Sequence, residues 1–509
     1  MKIFQKIITF IFIFLAMQFV PALETSAVTL THPESQYVTV DKPGIFFSGK
    51  IHKYEHVYIN GIRMYPERNG AFSYSISLKS GENIVAVQSK ELFGKTHTIT
   101  YHITFQKAVK RPNQNVFLQS EKAYYQTTKD DVVMRSTPVD AGMNRLGYLP
   151  NNTKLVVDGT FNEFSRVYLS EDNYGWVFTK NIKIVPKETK PETAKAENKT
   201  NIKPVKQTET VTKKEVKTAE PEKENVEEKA EPTFEYKPVT VTDTNTFKTV
   251  HDETFVIQLS DNAPYSAIVD NNKLVVTVYN VDSKSETYKK TFNLGKFPRY
   301  SVCMKDGVLY VIQKKVPFTK QTYSNRKVLI VIDPGHGGQE RGAVGCFGDI
   351  EKNLNLKVAL ELRKYLEKAN FRVRMTRETD KFMTLNDRVK FGQDNDALFF
   401  ISIHLNSVPI SSNPNLNEGT VVFYFNPQGE ELAKTLAQSI STALKVKNEG
   451  ASQASFAVIR PTEYIGVLAE LAYLVNPKDV RVYRSMHFAR TSARAIYNGL
   501  VKYINEVLK

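Results

Sequence analysis

The sequence predicts a multidomain chain, N-terminal all-β modules followed by a C-terminal α/β domain. Three observations carry this. At 509 residues the chain is too long for one core. From residue 28 to about 325, short runs that alternate apolar and polar residues recur between Asn-Gly, Ser-Gly and Asp-Asn turns, as half-exposed strands do. From about residue 327 the period changes, and continuous apolar runs of strand length alternate with helical spacings.

The segments follow in order. Lys2 and Lys6 precede an apolar run from Ile7 to Val20, and Thr25-Ser26-Ala27 offers small residues for cleavage. The run is shorter than the ~20 residues a spanning helix needs. Residues 1–27 therefore read as a signal peptide, and the mature chain as secreted, to an extracellular cell wall or a periplasm. Residues 28–107 hold strands such as Val38-Thr39-Val40, Val57-Tyr58-Ile59 and Phe72-Ser73-Tyr74-Ser75-Ile76, with turns at Asn60-Gly61, Asn69-Gly70 and Ser80-Gly81. They resemble the immunoglobulin-like β-sandwich domains appended to bacterial secreted enzymes. Residues 115–186 carry Met134-Arg135-Ser136-Thr137-Pro138, Leu146-Gly147-Tyr148-Leu149-Pro150 and Gly175-Trp176-Val177. These resemble a bacterial SH3-like barrel, in which Trp176 either packs or edges a groove.

Residues 187–233 contain no aromatic residue and mix Lys, Glu, Thr and Pro. Such a composition buries too little apolar surface to offset its ordering entropy, so a disordered charged linker is expected, tethering a mobile catalytic domain. Residues 234–325 return to β, with Phe255–Leu259, Leu274–Tyr279 and Val308–Ile312 as strands around the turn at Asp270-Asn271-Asn272. The layout resembles an AMIN-type domain.

Chemistry concentrates in residues 327–509. Val328 to Asp333 is a buried strand stopped by Pro334-Gly335, which presents His336 at its carboxyl end, where α/β sheets keep their ligands. Ala397 to His404 is a second apolar strand ending in a histidine, and Val467 to Glu470 a third run ending in a carboxylate. Glu351 opens a helical pattern through Leu354, Leu356, Val358, Leu360, Leu362 and Leu366, where a carboxylate suits the helix N-terminus. Two imidazoles and one carboxylate form a set that binds a catalytic zinc and leaves a fourth position for water. Glu470 remains to move a proton. Further on, a strand from Thr420 to Phe425 and helices over Glu430–Val446 and Pro477–Leu508 are expected, with His487 on the last helix's surface.

Four ordered motifs sharpen this: Asp333-Pro334-Gly335-His336-Gly337-Gly338, Glu351-Lys352-Asn353-Leu354, Ser402-Ile403-His404-Leu405-Asn406, and Leu468 to Asn476. Together they resemble the zinc-dependent N-acetylmuramoyl-L-alanine amidases of the amidase-3 family. The resemblance implies a mostly parallel sheet flanked by helices. It implies one Zn2+ held by His336, Glu351 and His404, with Glu470 as catalytic carboxylate. Asn406 and Arg377 become candidate substrate contacts, although a structural ion pair is the commoner role for an arginine placed like Arg377. Glu340 and Gln393-Asp394 depart from the family's usual residues at positions that are not ligands. Only Ser407 to Glu418 separates His404 from the next strand, too short for the inserted helix that blocks the metal in some relatives, so the site is expected to work without a protein activator.

The function implied is cleavage of the amide between N-acetylmuramic acid and L-alanine of the peptidoglycan stem. Hydrolysis of another stem amide, or a retired enzyme serving as a wall-binding scaffold, are the alternatives. The net charge of +15 is spread over the folded segments and suits an anionic polymer of the wall. No nucleic-acid motif accompanies it. The chain is expected to be monomeric, with no membrane contact beyond the signal peptide. Its two cysteines, Cys303 and Cys346, fall in different segments and are expected to stay free, with Cys346 an idle buried thiol rather than a ligand.

Overall fold

The computed structural model describes residues 28–91, 95–107, 117–185, 237–316 and 318–509. The signal peptide expected over 1–27 and the linker expected over 187–233 lie outside them.

The first unit is two facing sheets. Val28–His32, Gly44–Ile51 and Ala71–Ser77 form one; Tyr37–Val40, Thr96–Phe105, Gly81–Lys90, His56–Ile59 and Ile62–Arg63 form the other, in that order. Period-2 alternation builds the core: Ile45, Phe47, Val57, Ile59, Val85, Val87 and Ile103 point inward. The second unit is one seven-stranded antiparallel sheet, Leu118 to Ile184. Trp176 there meets Phe117 and Phe161 edge-on, with ring centroids 5.9 and 6.4 Å away. The third pairs a four-stranded sheet with a three-stranded one, Val241 to Lys314.

The second and third units are not separate bodies. Met134, Leu149, Val167 and Val177 of one and Ile257, Tyr265, Leu274 and Leu309 of the other belong to one buried apolar cluster. The third reaches the C-terminal unit just ahead of its strands. The Tyr300 amide donates to Thr462 O at 2.9 Å, and Arg299 donates to Asp396 Oδ1 at 3.1 Å and to Ala397 O at 3.0 Å. Phe297 enters the C-terminal core itself. A catalytic domain sweeping on a tether around an anchored N-terminal half does not match these contacts, because the residues on either side of 187–233 share a core.

The C-terminal unit contains β1 (Leu329–Pro334), β2 (Arg372–Met375), β3 (Phe399–Asn406), β4 (Thr420–Tyr424), β5 (Asn448–Gln453) and β6 (Ile465–Tyr473) in one sheet, ordered β2-β1-β3-β6-β4-β5. Its helices are α1 (Glu351–Lys368), α2 (Leu385–Asp394), α3 (Glu430–Leu444), α4 (Val480–Tyr483) and α5 (Phe488–Leu508). β1 pairs parallel with β2 and β3, β3 with β6, and β4 with β5; β4 runs antiparallel to β6. Both faces of the sheet are covered, which explains the continuous apolar runs. Ile330, Ile332, Phe399, Ile401 and Val467 face the cluster that includes α1, α3 and α5. Val331, Phe400 and Leu468 face a second cluster with Ile459 and Tyr464.

Two local expectations change. The helix expected over Pro477–Leu508 breaks into α4 and α5, where Ser485 Oγ accepts the His487 amide at 3.3 Å and diverts the backbone. His487 is exposed at the start of α5. The strand β5 was not anticipated, because Asn448-Glu449-Gly450-Ala451-Ser452-Gln453 has no apolar alternation.

Candidate metal centre

His336 follows the end of β1 with φ 58°. Few non-glycine residues adopt this left-handed conformation, and it persists only where the surroundings impose it. Two buried guanidinium groups do so here. Arg388, on α2, donates to Pro334 O at 2.9 Å and to His336 O at 2.7 Å. It also pairs with Asp333 at 2.6 Å, both partners almost wholly buried. The Asp333 carboxylate accepts from Thr376 Oγ1 at 2.6 Å and Ser402 Oγ at 2.8 Å, so its lone pairs are well used.

Arg377 is the second group, and here the expectation needs correcting. It is 3% exposed. Its Nε donates to Pro334 O at 2.9 Å, its Nη2 to Gly335 O and Lys352 O at 2.8 and 2.9 Å, and its Nη1 to Thr379 O at 3.1 Å. Every nitrogen is spent on backbone carbonyls, so Arg377 neither faces substrate nor forms an ion pair. It braces the turn. Burial, then repulsion from Arg388, lowers its pKa to about 10.

The turn brings His336 onto Glu351, the first residue of α1, and β3 brings His404 to the same carboxylate. His336 Nε2 lies 3.1 Å from Glu351 Oε2, and His404 Nδ1 lies 2.9 Å from Glu351 Oε1. The imidazole centroids are 5.0 Å apart and nearly perpendicular, 80° between planes. All three donor atoms fall within 4.8 Å of one another. Close backbone approach makes this packing possible. A Cβ on Gly335 would lie 2.2 Å from His404 Nε2, and one on Gly342, whose φ is +69°, would lie 2.4 Å from Glu351 Oε2. Only glycine fits either place.

Glu351 is held rigidly. Oε2 accepts the Ala343 amide at 2.8 Å; Oε1 accepts the Leu405 amide and Asn355 Nδ2, each at 3.2 Å. Burial would raise its pKa, but hydrogen bonds from His336 and His404 outweigh that and hold the carboxyl far below the ordinary range. Two imidazole nitrogens and an anionic oxygen, converging and braced behind, suit a divalent ion of zinc's preferences.

Glu470 lies outside this trio. It sits opposite His404 across the parallel β3–β6 pairing and opposite Val421 of β4. It is buried, and its Oε2 has no hydrogen-bond partner. Burial, then the charge of Glu351, pushes its pKa well above the ordinary range. A carboxyl raised in the fold stabilises the protein while protonated, and that contribution is lost as pH rises from the ordinary carboxylate range through the raised value. Glu470→Gln removes this titrating group and keeps a neutral side chain of the same shape. In metal-free protein it is expected to raise the thermal midpoint at neutral pH and to leave it unchanged at acid pH. Melting curves at the two pH values check this, and identical midpoints at neutral pH would contradict it.

Asn406 ends β3, half-buried, with Oδ1 accepting the Ser407 amide at 2.8 Å. Cys346 is buried and free, its Sγ 3.6 Å from Val475 O, and burial raises its pKa to about 11. It takes no part in the donor set, and Cys303 is also free. Sequence reasoning missed three supports: Asp333, Asn355 and the bracing role of Arg388. The only signals were an aspartate at the end of an apolar strand and an asparagine one helical turn past Glu351.

Residues 330–502 match the N-acetylmuramoyl-L-alanine amidase family. The chain is 34% identical over 262 residues to the probable cell wall amidase LytH of Staphylococcus epidermidis, covering 50% of this chain and 86% of that protein. Against the protein of that name from Staphylococcus aureus, identity is 35% over 189 residues, 37% and 62% of the two chains. Among solved structures, the N-acetylmuramoyl-L-alanine amidase AmiC2 of Nostoc punctiforme is 33% identical over 35% of this chain and 97% of that one, with a TM-score of 0.33. Four motifs in order, and a relative aligned over most of its length, lead to one conclusion: the chain belongs to the N-acetylmuramoyl-L-alanine amidase family.

Proposed function

We propose that this chain is a zinc-dependent peptidoglycan hydrolase that cleaves the amide between N-acetylmuramic acid and L-alanine of the stem peptide. The observation that carries the reading is the convergence of His336, Glu351 and His404 beside an unpartnered, buried Glu470. Zinc held by the three would supply Lewis acidity and bring the pKa of a bound water to about 7. The chain's own residues do the rest. Glu470 accepts the proton that water loses as its oxygen joins the lactyl carbonyl carbon. It then delivers that proton to the alanine nitrogen as the carbon–nitrogen bond breaks. A raised pKa suits a group that must take and give one proton near neutrality. Asn406, two residues beyond His404, would meet the stem peptide.

The matched cell wall amidases support a location outside the cell, at the wall. No helix among the described residues is long and apolar enough to cross a membrane. In this reading residues 1–27 act as the export signal. The immunoglobulin-like, SH3-like and AMIN-like units attach a monomeric enzyme to peptidoglycan or anionic wall polymers, and no separate activator protein is needed.

The test is purified peptidoglycan incubated with the full chain, with and without a chelator. New L-alanine amino termini are expected, lost completely with chelator and restored by zinc. Amino termini of other stem residues would favour the alternative hydrolase. Bound zinc with no release would favour a scaffold.

A further inference from the structure

The three loops that leave the site all run into the first β unit. The loop after His336 meets it through Arg341, paired with Glu34 at 2.9 Å, and Phe347, with Lys50 Nζ 5.2 Å from its ring centroid. The loop after His404 meets it through Ile410. Its carbonyl accepts the Phe46 amide at 2.9 Å, and its side chain packs against the unit's core. The segment after β6, which carries Glu470, meets it where Ser73 Oγ donates to Val475 O at 2.8 Å and Asn69 Nδ2 to Pro477 O at 3.3 Å. Ser73 lies at the centre. Its carbonyl also accepts Asn415 Nδ2 at 2.9 Å, and its hydroxyl is 3.9 Å from Cys346 Sγ.

The face that makes these contacts is unusual for the outside of a sandwich. Along Gly44–Ile51 and Ala71–Ser77, Ile45, Phe47 and Phe72 fill the unit's own core. The alternate positions should then face water and be polar or charged. Instead Phe46, Ser48 and Ala71 are fully buried, and Ala71 joins the core of the C-terminal unit. Uncharged residues fully buried on an outward face are those of a fitted contact. Among the described residues, the third unit's contacts through Arg299 and Tyr300 lie at the opposite end of the sheet, ahead of β3 and β6.

We propose that the first β unit is a wall of the amidase site, holding the loops that follow His336, His404 and Glu470, with Ser73 and Ile410 as positioning residues for the reaction. Loops ordered only by their own contacts are the low-stability part of a fold. Docking all three on one rigid sheet fixes the distance between the metal trio and Glu470. A displacement of about 1 Å at such a site costs about 100-fold in rate.

The inference rests on the amidase reading, and one experiment separates the two. Ile410→Asp and Ser73→Glu in the full chain are assayed for kcat and KM on solubilised peptidoglycan and for zinc content, beside wild type and Ile410→Val. The expected result is kcat lowered roughly 10- to 100-fold in both charged variants, KM changed less, zinc retained and Ile410→Val near wild type. Unchanged kcat in both charged variants overturns the inference alone. So does loss of zinc in step with activity, since the contact would then support folding rather than positioning. A wild-type chain without turnover sinks the amidase reading and this inference with it.

Discussion

Replacing Glu470 with alanine is expected to lower turnover on peptidoglycan by about 10²- to 10⁴-fold while leaving metal content at the wild-type level. The two effects separate because Glu470 lies outside the converging trio, although it faces His404 in the next strand. Its Oε2 has no partner to lose, so truncation leaves no orphaned donor behind. His404→Ala is the contrast. Its Nδ1 sits 2.9 Å from Glu351, so its loss opens the donor set, and metal and activity should disappear together. Metal analysis of the two purified variants, beside release of L-alanine termini, decides the matter. Wild-type hydrolysis by Glu470→Ala would remove it from the reaction.

The second large effect is on stability. Arg388→Ala leaves the Asp333 carboxylate buried without its cation, and breaking such a pair costs about 3–5 kcal/mol. The same change releases the Pro334 and His336 carbonyls, so the left-handed turn at His336 loses a brace. Thermal unfolding should fall by several degrees, and zinc should bind more weakly than in wild type. The double variant Asp333→Ala/Arg388→Ala should be less destabilised than the sum of its single variants, because part of each cost is the lone charge left by the other. Additive costs would show that the two groups act independently.

Much of the site was legible, and for a physical reason. β1, β3 and β6 are covered on both faces, so they read as unbroken apolar runs, and a histidine or glutamate at the end of such a run stands out. The helix opened by Glu351 was legible from its spacing. The bracing roles of Arg377 and Arg388 were not, because a long cationic side chain that turns inward to backbone carbonyls leaves no mark on local periodicity. β5 lacked the alternation that reveals a strand. The joint core of the second and third units was hidden for another reason. Alternation tells that one face of a strand is buried, but not what buries it, and Val167 or Leu309 would read the same in an isolated barrel.

That joint core bears on how such a chain can change over time. Shuffling of gene segments exchanges stretches that stand alone, and the boundary suggested by composition near residue 187 invites a cut there. A cut would leave Met134, Leu149 and Val177 on one product and Ile257, Leu274 and Leu309 on the other, each facing water with half a core. The two units can be inherited, swapped or lost only together.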